Sequence, residues 1–148
     1  MSLKAKIQTK LTEAMRARDK VTKIPLRLVM TSIKEAEIDQ KGEIEDIDVL
    51  RIIQKEAKAR LDTIEDAEKA ERPDLIKQAE AELAILKQFL PEEISDEALE
   101  TLVKETIDEV GASSMADMGG VMQALMPKIQ GRADGSKVSA LVRQVLQG

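Results

Sequence analysis

The sequence predicts an all-α protein with two parts: an amino-terminal multihelical unit that contains a long antiparallel helical hairpin, and a small carboxy-terminal three-helix bundle. Apolar residues recur at intervals of three and four along most of the 148 residues, which is the spacing of one helix face. Strand signals are weak, because β-branched runs are short and Phe89 is the only aromatic residue. Proline and glycine residues divide the chain into seven predicted helices.

The first two predicted helices begin the amino-terminal unit. Ser2 is the expected N-cap of the first helix, which fades near Asp19. Pro25 is expected at the first position of the second helix, and Gly42 is expected to end it. The predicted buried faces contain Leu3, Ile7, Leu11, Ala14 and Met15 in the first helix and Leu26, Val29, Ile33 and Ala36 in the second.

Heptad spacing defines the third and fourth predicted helices. Asp48 is the expected N-cap of the third helix, and Pro73 marks the break before the fourth. The heptad positions hold Leu50, Ile53, Ala57, Ile64 and Ala67 in the third helix and Ile76, Ala79, Leu83, Leu86 and Leu90 in the fourth. Because the connecting turn is short, we expect an antiparallel hairpin with charged residues such as Glu65 and Lys77 outside.

A change of composition at Pro91 indicates a boundary, so we expect helical domains over residues 1–90 and 91–148. The first ninety residues carry 18 basic and 18 acidic side chains. Residues 91–117 have a net charge of −8, and residues 118–148 have a net charge of +3. Of these three ranges, only the last thirty or so residues carry a net positive charge.

Three short helices are predicted after the boundary. Ser95 is the expected N-cap of the fifth helix, and Gly111 is expected to end it in a left-handed conformation. The sixth helix is expected to start at Ser113 or Ser114, and Pro127 should kink it or loosen its last turn. The predicted apolar faces contain Leu99, Leu102, Val103, Ile107 and Val110, then Met118, Val121, Met122, Leu125 and Ile129, and finally Val138, Leu141, Val142 and Val145.

Residue types exclude several kinds of site. The chain has no cysteine and no histidine, so disulfides, thiolate ligands and the commonest general base are absent. We predict no catalytic residues, no cofactor and no metal site, although carboxylates could still hold magnesium. The longest apolar run, Leu83–Leu86, is far below the roughly 20 residues of a membrane span. With no secretory signal in the sequence, a cytoplasmic location is expected.

The segment GRADGSK, residues 131–137, joins the last two predicted helices and carries the candidate RNA-binding residues. These are Lys128, Arg132, Lys137 and Arg143. Lysine and arginine neutralise RNA phosphates, and the free amides at a helix start also receive anions. The alternative is an ordinary interhelical turn. Nearby methionines form a stripe that fits either a partner groove or the filling of gaps in a core poor in aromatic residues.

Three segments carry a resemblance to a known family. Residues 26–39 read LRLVMTSIKEAEID, the fourth predicted helix reads AELAILKQFLPEEIS into the boundary, and residues 117–142 read DMGGVMQALMPKIQGRADGSKVSALV. These segments resemble the GatB/YqeY family of transfer-RNA-linked proteins, and the similarity spans essentially the whole chain. The last stretch is similar to the most characteristic region of that family.

The resemblance implies that the carboxy-terminal bundle is similar to the tail domain of the B subunit of the glutamine-dependent aminoacyl-tRNA amidotransferase, a tRNA-contacting appendage. It does not extend to the catalytic cradle of that subunit. In this chain the matching positions are Gly119, Met122, Gly131 and Asp134, which shape the motif, together with Lys128, Arg132 and Val142. Gly120 stands where relatives often have lysine.

The resemblance implies a partner that is tRNA or a tRNA amidotransferase or synthetase complex, and no membrane. It also implies a family label of carbon–nitrogen ligase with glutamine as amide donor, although the chain offers no nucleophile for that reaction. The leading interpretation is a non-catalytic tRNA-binding protein or adaptor. The alternatives are a helical protein-interaction module with no nucleic-acid role and an enzyme of amide transfer.

Overall fold

The computed structural model describes residues 1–148 and contains seven α-helices, one short 3-10 helix and no strand. The predicted all-α class is confirmed. The helices are α1 (Leu3–Arg16), α2 (Lys20–Gln40), α3 (Asp46–Lys69), α4 (Pro73–Lys87), α5 (Asp96–Val110), α6 (Met118–Ile129) and α7 (Gly135–Gln147), with the 3-10 helix Met115–Asp117 before α6. None of the helices is both long enough and apolar enough to cross a bilayer.

The chain divides into two compact units, Met1–Pro91 and Glu92–Gly148. In the first unit α1 packs against α2, and α3 packs along α4 as the predicted hairpin. The hairpin closes over α2 around a core of aliphatic side chains, whose most deeply buried members are Ile7, Leu26, Val29, Ile33, Val49, Ile53 and Leu86. Because Phe89 is the only aromatic side chain packed against this core, many branched aliphatic contacts hold this unit together.

The second unit contains α5, α6 and α7 in mutual contact. Its core consists of Leu99, Val103, Val121, Leu125, Ile129, Val138 and Val142, all fully buried. The predicted end signals are present here: the hydroxyl of Ser95 accepts from the amide of Ala98 at 3.2 Å, Gly111 adopts a left-handed conformation, and Asp134 caps α7. Met118 and Met122 pack against this core, and this packing agrees with the interpretation that the methionines fill gaps in the core.

The start of α2 differs from the prediction. The helix begins at Lys20, not at Pro25, because the side chain of Asp19 accepts from both the amide (3.1 Å) and the hydroxyl (2.7 Å) of Thr22. The hydroxyl and amide of Thr22, together with the charge of Lys10, hold the pKa of Asp19 below its ordinary value. Pro25 lies inside the helix with its ring buried, so it removes one helical hydrogen bond without ending the helix.

The predicted N-cap of α3 is wrong, whereas α2 ends at Gln40, just before Gly42. Asp48 is not the N-cap of α3: Glu45 holds that position, and the carboxylate of Asp48 accepts from the amide of Glu45 at 3.1 Å. This bond belongs to a capping box, in which the acid follows the cap by three residues. At the end of α2, Lys41 and not Gly42 adopts the left-handed conformation, and the amide of Gly42 bonds to the carbonyl of Glu37.

Three predicted core residues are also placed differently. Met15 and Val110 are exposed, and Val49 replaces Leu50 as the buried residue at the start of α3. Met15 and Val110 lie within the last two residues of their helices. Once α3 begins at Asp46, Val49 shares a face with Ile53 and Ala57.

A buried charge pair joins the two helices of the hairpin. The side chains of Arg60 on α3 and Glu82 on α4 are 13% and 9% exposed, and the guanidinium Nε lies 3.8 Å from Glu82 Oε1. Glu56 lies 3.5 Å from the same guanidinium. Nε itself makes no hydrogen bond, so the pair depends on charge more than on directed bonding.

We expect Glu82→Ala to lower the free energy of unfolding by about 2 kcal/mol, because it removes one of the two carboxylates that compensate a largely buried cation. Glu80→Ala, an exposed change on the same helix, should alter stability by less than about 0.5 kcal/mol. Urea unfolding of the full chain measures both values. Replacing Arg60 and Glu82 together by leucine should recover most of the loss, and equal effects of the two alanine variants would contradict this account.

We also propose that the two units are separate domains. A chain of residues 92–148 should then unfold cooperatively by itself, with a low midpoint because so short a domain buries only about 60% of its surface. Circular dichroism against temperature tests this expectation. A helical signal that decays without a transition would show that the second unit needs the first.

Candidate nucleic-acid interface

The four candidate RNA-binding residues lie along the α6–α7 connection. Lys128 is near the end of α6, Arg132 is in the loop, and Lys137 and Arg143 are on α7. The loop reverses direction at Gln130 and Gly131, which both have positive φ (49° and 78°). We refer to Lys128, Arg132, Lys137 and Arg143 together as the C-terminal basic surface.

Lys128 is engaged with α5. Its ammonium donates to Glu109 Oε2 at 2.5 Å and to the hydroxyl of Thr106 at 3.3 Å, and its side chain is 33% exposed. Thr106 is fully buried and donates in turn to the carbonyl of Leu102 at 2.8 Å. Lys128 therefore ties α6 to α5 and is already partly neutralised.

Arg132 fastens the loop to the segment before α5. Its Nε donates to the carbonyl of Glu92 at 3.1 Å, and its own carbonyl accepts from the amide of Ile94 at 2.9 Å. Both of the bonds that hold the loop to this segment are therefore made by Arg132. The carbonyl does not neutralise the guanidinium, which has four further N–H donors.

Lys137 and Arg143 differ although both lie on α7. The ammonium of Lys137 is hydrogen-bonded to the carboxylate of Asp96, and this contact raises the pKa of the lysine. Arg143 is exposed and has neither a hydrogen-bond nor an ion-pair partner. Of the four bases, Arg143 alone presents a side chain without an internal contact.

The two paired lysines can still bind an external anion. The Lys137–Asp96 and Lys128–Glu109 pairs have at least one strongly exposed partner, and solvent and salt screen exposed pairs of this kind so that they contribute little to stability. A phosphate could therefore replace either carboxylate at small cost. The second unit as a whole has ten acidic and five basic residues, so the field around the surface opposes an anion at long range.

The motif-shaping residues have distinct positions. Gly131 supplies a left-handed residue of the α6–α7 loop, and the side chain of Asp134 accepts from the amide of Ser136 at 3.1 Å to start α7. Met122 packs against the core of the second unit. Gly119 lies in the first turn of α6, and the space beside it is open, as it is beside Gly120.

A second basic region, which the charge count over residues 1–90 does not reveal, lies near the amino terminus. Residues 1–34 contain nine basic and two acidic side chains, a net charge of +7, while residues 35–90 have a net charge of −7. Counting the first ninety residues together hides this separation. A shorter window would have found it.

No cluster of three or more acidic side chains is arranged to hold a metal ion. An open cavity of about 290 Å³ lies on the helix surface between Lys6, Lys10, Glu13 and Phe89. Arg132, Lys137 and Arg143 lie on exposed surface.

Comparison with known proteins identifies the family. A family model described as Yqey-like protein matches residues 4–146. The chain belongs to the Yqey-like family. The resemblance expected from its segments is confirmed over nearly the whole length.

Two fungal relatives of this Yqey-like chain match over long stretches. An uncharacterized protein of Schizosaccharomyces pombe is 38% identical over 95 residues, which cover 64% of this chain and 77% of that protein. The altered inheritance of mitochondria protein 41, mitochondrial, of Pyrenophora tritici-repentis is 30% identical over 146 residues, covering 95% of this chain and 79% of that protein.

A third relative connects the chain with tRNA-dependent amidotransferases. The E subunit of the glutamyl-tRNA(Gln) amidotransferase of Thermococcus gammatolerans is 40% identical over 59 residues, which are 40% of this chain and 9% of that relative. The similarity to the amidotransferases that the resemblance implied is thus confirmed over a short segment. The matching relative is an E subunit, whereas the expectation named the B subunit.

We expect Arg132 and Arg143 to differ in their effect on stability. Arg132→Ala should lower the free energy of unfolding by about 1 kcal/mol, because the hydrogen bond to Glu92 is lost. Arg143→Ala should change it by less than about 0.5 kcal/mol, since no internal contact is removed. Urea unfolding of the full chain tests the difference, and equal losses would contradict the assigned anchoring role of Arg132.

Proposed function

We propose that this Yqey-like protein is a non-catalytic tRNA-binding protein, or the adaptor of a tRNA-handling complex, and that its C-terminal basic surface contacts RNA phosphates. The observation that carries the proposal is the 40% identity to a segment of a glutamyl-tRNA(Gln) amidotransferase subunit. That segment makes up less than a tenth of the relative. A short helical segment shared in this way is suited to binding.

Contact with phosphate would be electrostatic. Arg143 is free to bind directly, and the single bond from Arg132 to Glu92 leaves the other guanidinium N–H groups available for a phosphate. Lys128 and Lys137 would exchange the carboxylates of Glu109 and Asp96 for phosphate. Direct reading of unstacked bases is not part of the proposal, because the chain has a single aromatic residue.

A non-catalytic role is consistent with the residue types. Release of ammonia from glutamine needs an activated cysteine or serine nucleophile, and a serine needs a base beside it. The chain has no cysteine and no histidine. The lysines and carboxylates lie mainly on exposed helix faces.

A second candidate function is a protein-interaction module without a nucleic-acid role. The specific observation in its favour is the acidic balance of the second unit, which has twice as many acidic as basic residues. Such a unit repels a polyanion at long range and attracts a basic protein surface.

We expect the full chain to bind total tRNA at low salt and to bind it far less tightly at physiological salt, because bound counterions are released on association. Arg143→Glu should weaken binding and lower the salt slope by about 1. Lys104→Glu, an exposed change of equal charge on α5, is the matched control. Fluorescence anisotropy with labelled tRNA measures both.

Two results would contradict the proposal. Absence of tRNA binding at low salt would favour the protein-interaction module, and capture of a partner after nuclease treatment would support that alternative. Equal binding by the Arg143→Glu and Lys104→Glu variants would remove the C-terminal basic surface from the account.

A further inference from the structure

Helix α2 carries four basic side chains on one side. Lys20, Lys23, Arg27 and Lys34 are separated by three, four and seven residues, a spacing that aligns them along the helix over roughly 21 Å. No acidic residue occurs between Asp19 and Glu35. We refer to these four residues as the α2 basic row.

None of the four side chains has a hydrogen-bond or ion-pair partner. In the same unit Lys4 is paired with Glu37 at 2.8 Å, and Arg60 is held by two glutamates. The row therefore differs from the C-terminal basic surface, where an internal acceptor engages three of four bases. Nothing in the structure neutralises it.

The neighbouring helix extends the positive region. Lys6, Lys10 and Arg16 of α1 and Arg18 of the α1–α2 turn are exposed and make no ion pair. Of the two acids in this part of the chain, Asp19 is occupied as the cap of α2. The net charge of +7 over residues 1–34 is thus carried mostly by free side chains.

We propose that the α2 basic row binds the phosphate backbone of RNA, as a contact surface separate from the C-terminal one. The inference rests on the proposed function, since it concerns the same class of ligand. Free lysines and arginines along one helix neutralise successive phosphates and release the counterions that RNA holds. Because no internal ion pair has to break, these cations should contribute more to binding than the paired lysines on α6 and α7.

The other side of the exposed α2 face is apolar. Val21, Ile24 and Leu28 are 48%, 40% and 44% exposed and follow each other at helical spacing. An acidic protein helix would use both this ridge and the basic row, whereas a phosphate backbone would use the row alone. The positive charge extends beyond these apolar residues onto α1 and the α1–α2 turn. A basic surface of this extent favours RNA, whose phosphates are spread along its length.

The test compares two double variants of the full chain in tRNA binding. Lys20→Glu with Arg27→Glu reverses two charges of the row. Lys55→Glu with Lys77→Glu makes the same charge change at exposed, unpaired positions of α3 and α4. We expect the row variant to lose at least tenfold in affinity and about two units of salt slope, and the control variant to lose no more than about threefold.

A third double variant, Val21→Ser with Leu28→Ser, should bind tRNA as the unmodified chain does. Helix content and urea midpoint, measured for every variant, show that each is folded. Poly-glutamate, a polyanion without phosphate, should displace labelled tRNA much less well than unlabelled RNA at equal charge concentration.

Several outcomes would overturn the inference. If the row and control variants lose equally, or if only Arg143→Glu weakens binding, RNA contacts lie elsewhere and the proposed function stands. If poly-glutamate competes as well as RNA, or if the serine variant loses binding, the α2 face is a site for an acidic protein. If the unmodified chain does not bind tRNA at low salt, the proposed function itself fails.

Discussion

The availability of cations for an external anion depends in this protein on the carboxylates that already contact them. In the second unit the acidic helix α5 lies against α6 and α7, so that Glu109 and Asp96 engage Lys128 and Lys137. The same contacts join α5 to the other two helices of the bundle. In the proposed account, folding and binding use the same side chains here, and a phosphate has to compete with the bundle for them.

In the first unit, most bases of α1 and α2 do not take part in joining the helices. Its helices are held together by aliphatic packing and by the Arg60–Glu82 pair inside the hairpin. The bases of α1 and α2 that make no ion pair therefore have no internal role and remain free. The sequence motif of residues 117–142 indicates a contact in the carboxy-terminal half, whereas the distribution of unpaired charge indicates one in the amino-terminal half. In the proposed account both halves contact RNA, with unequal contributions.

Local signals in the sequence predicted the fold well. Ser2, Ser95, Gly111 and Asp134 act within one turn of their own positions, and the structure places each as expected. The heptad stripes predicted the hairpin because both helices of the pair carry the pattern. The start of α2 was mispredicted because a side-chain cap at Asp19 outweighs the preference of Pro25 for the first position.

The site was harder to predict, because the pairing of a base depends on helices distant in sequence. Lys128 and Glu109 are 19 residues apart, and Lys137 and Asp96 are 41 residues apart.

The central claim is that unpaired cations, more than paired ones, determine where RNA is bound. Amide chemical shifts of the full chain, recorded while total tRNA is added at low salt, test it most directly because every helix reports at once. The account predicts that amides of α2 between Lys20 and Lys34 shift at the lowest tRNA concentrations, that those around Arg143 follow, and that the α3–α4 hairpin is unaffected. Shifts confined to α6 and α7, or spread over the hairpin with α2 unchanged, would contradict it.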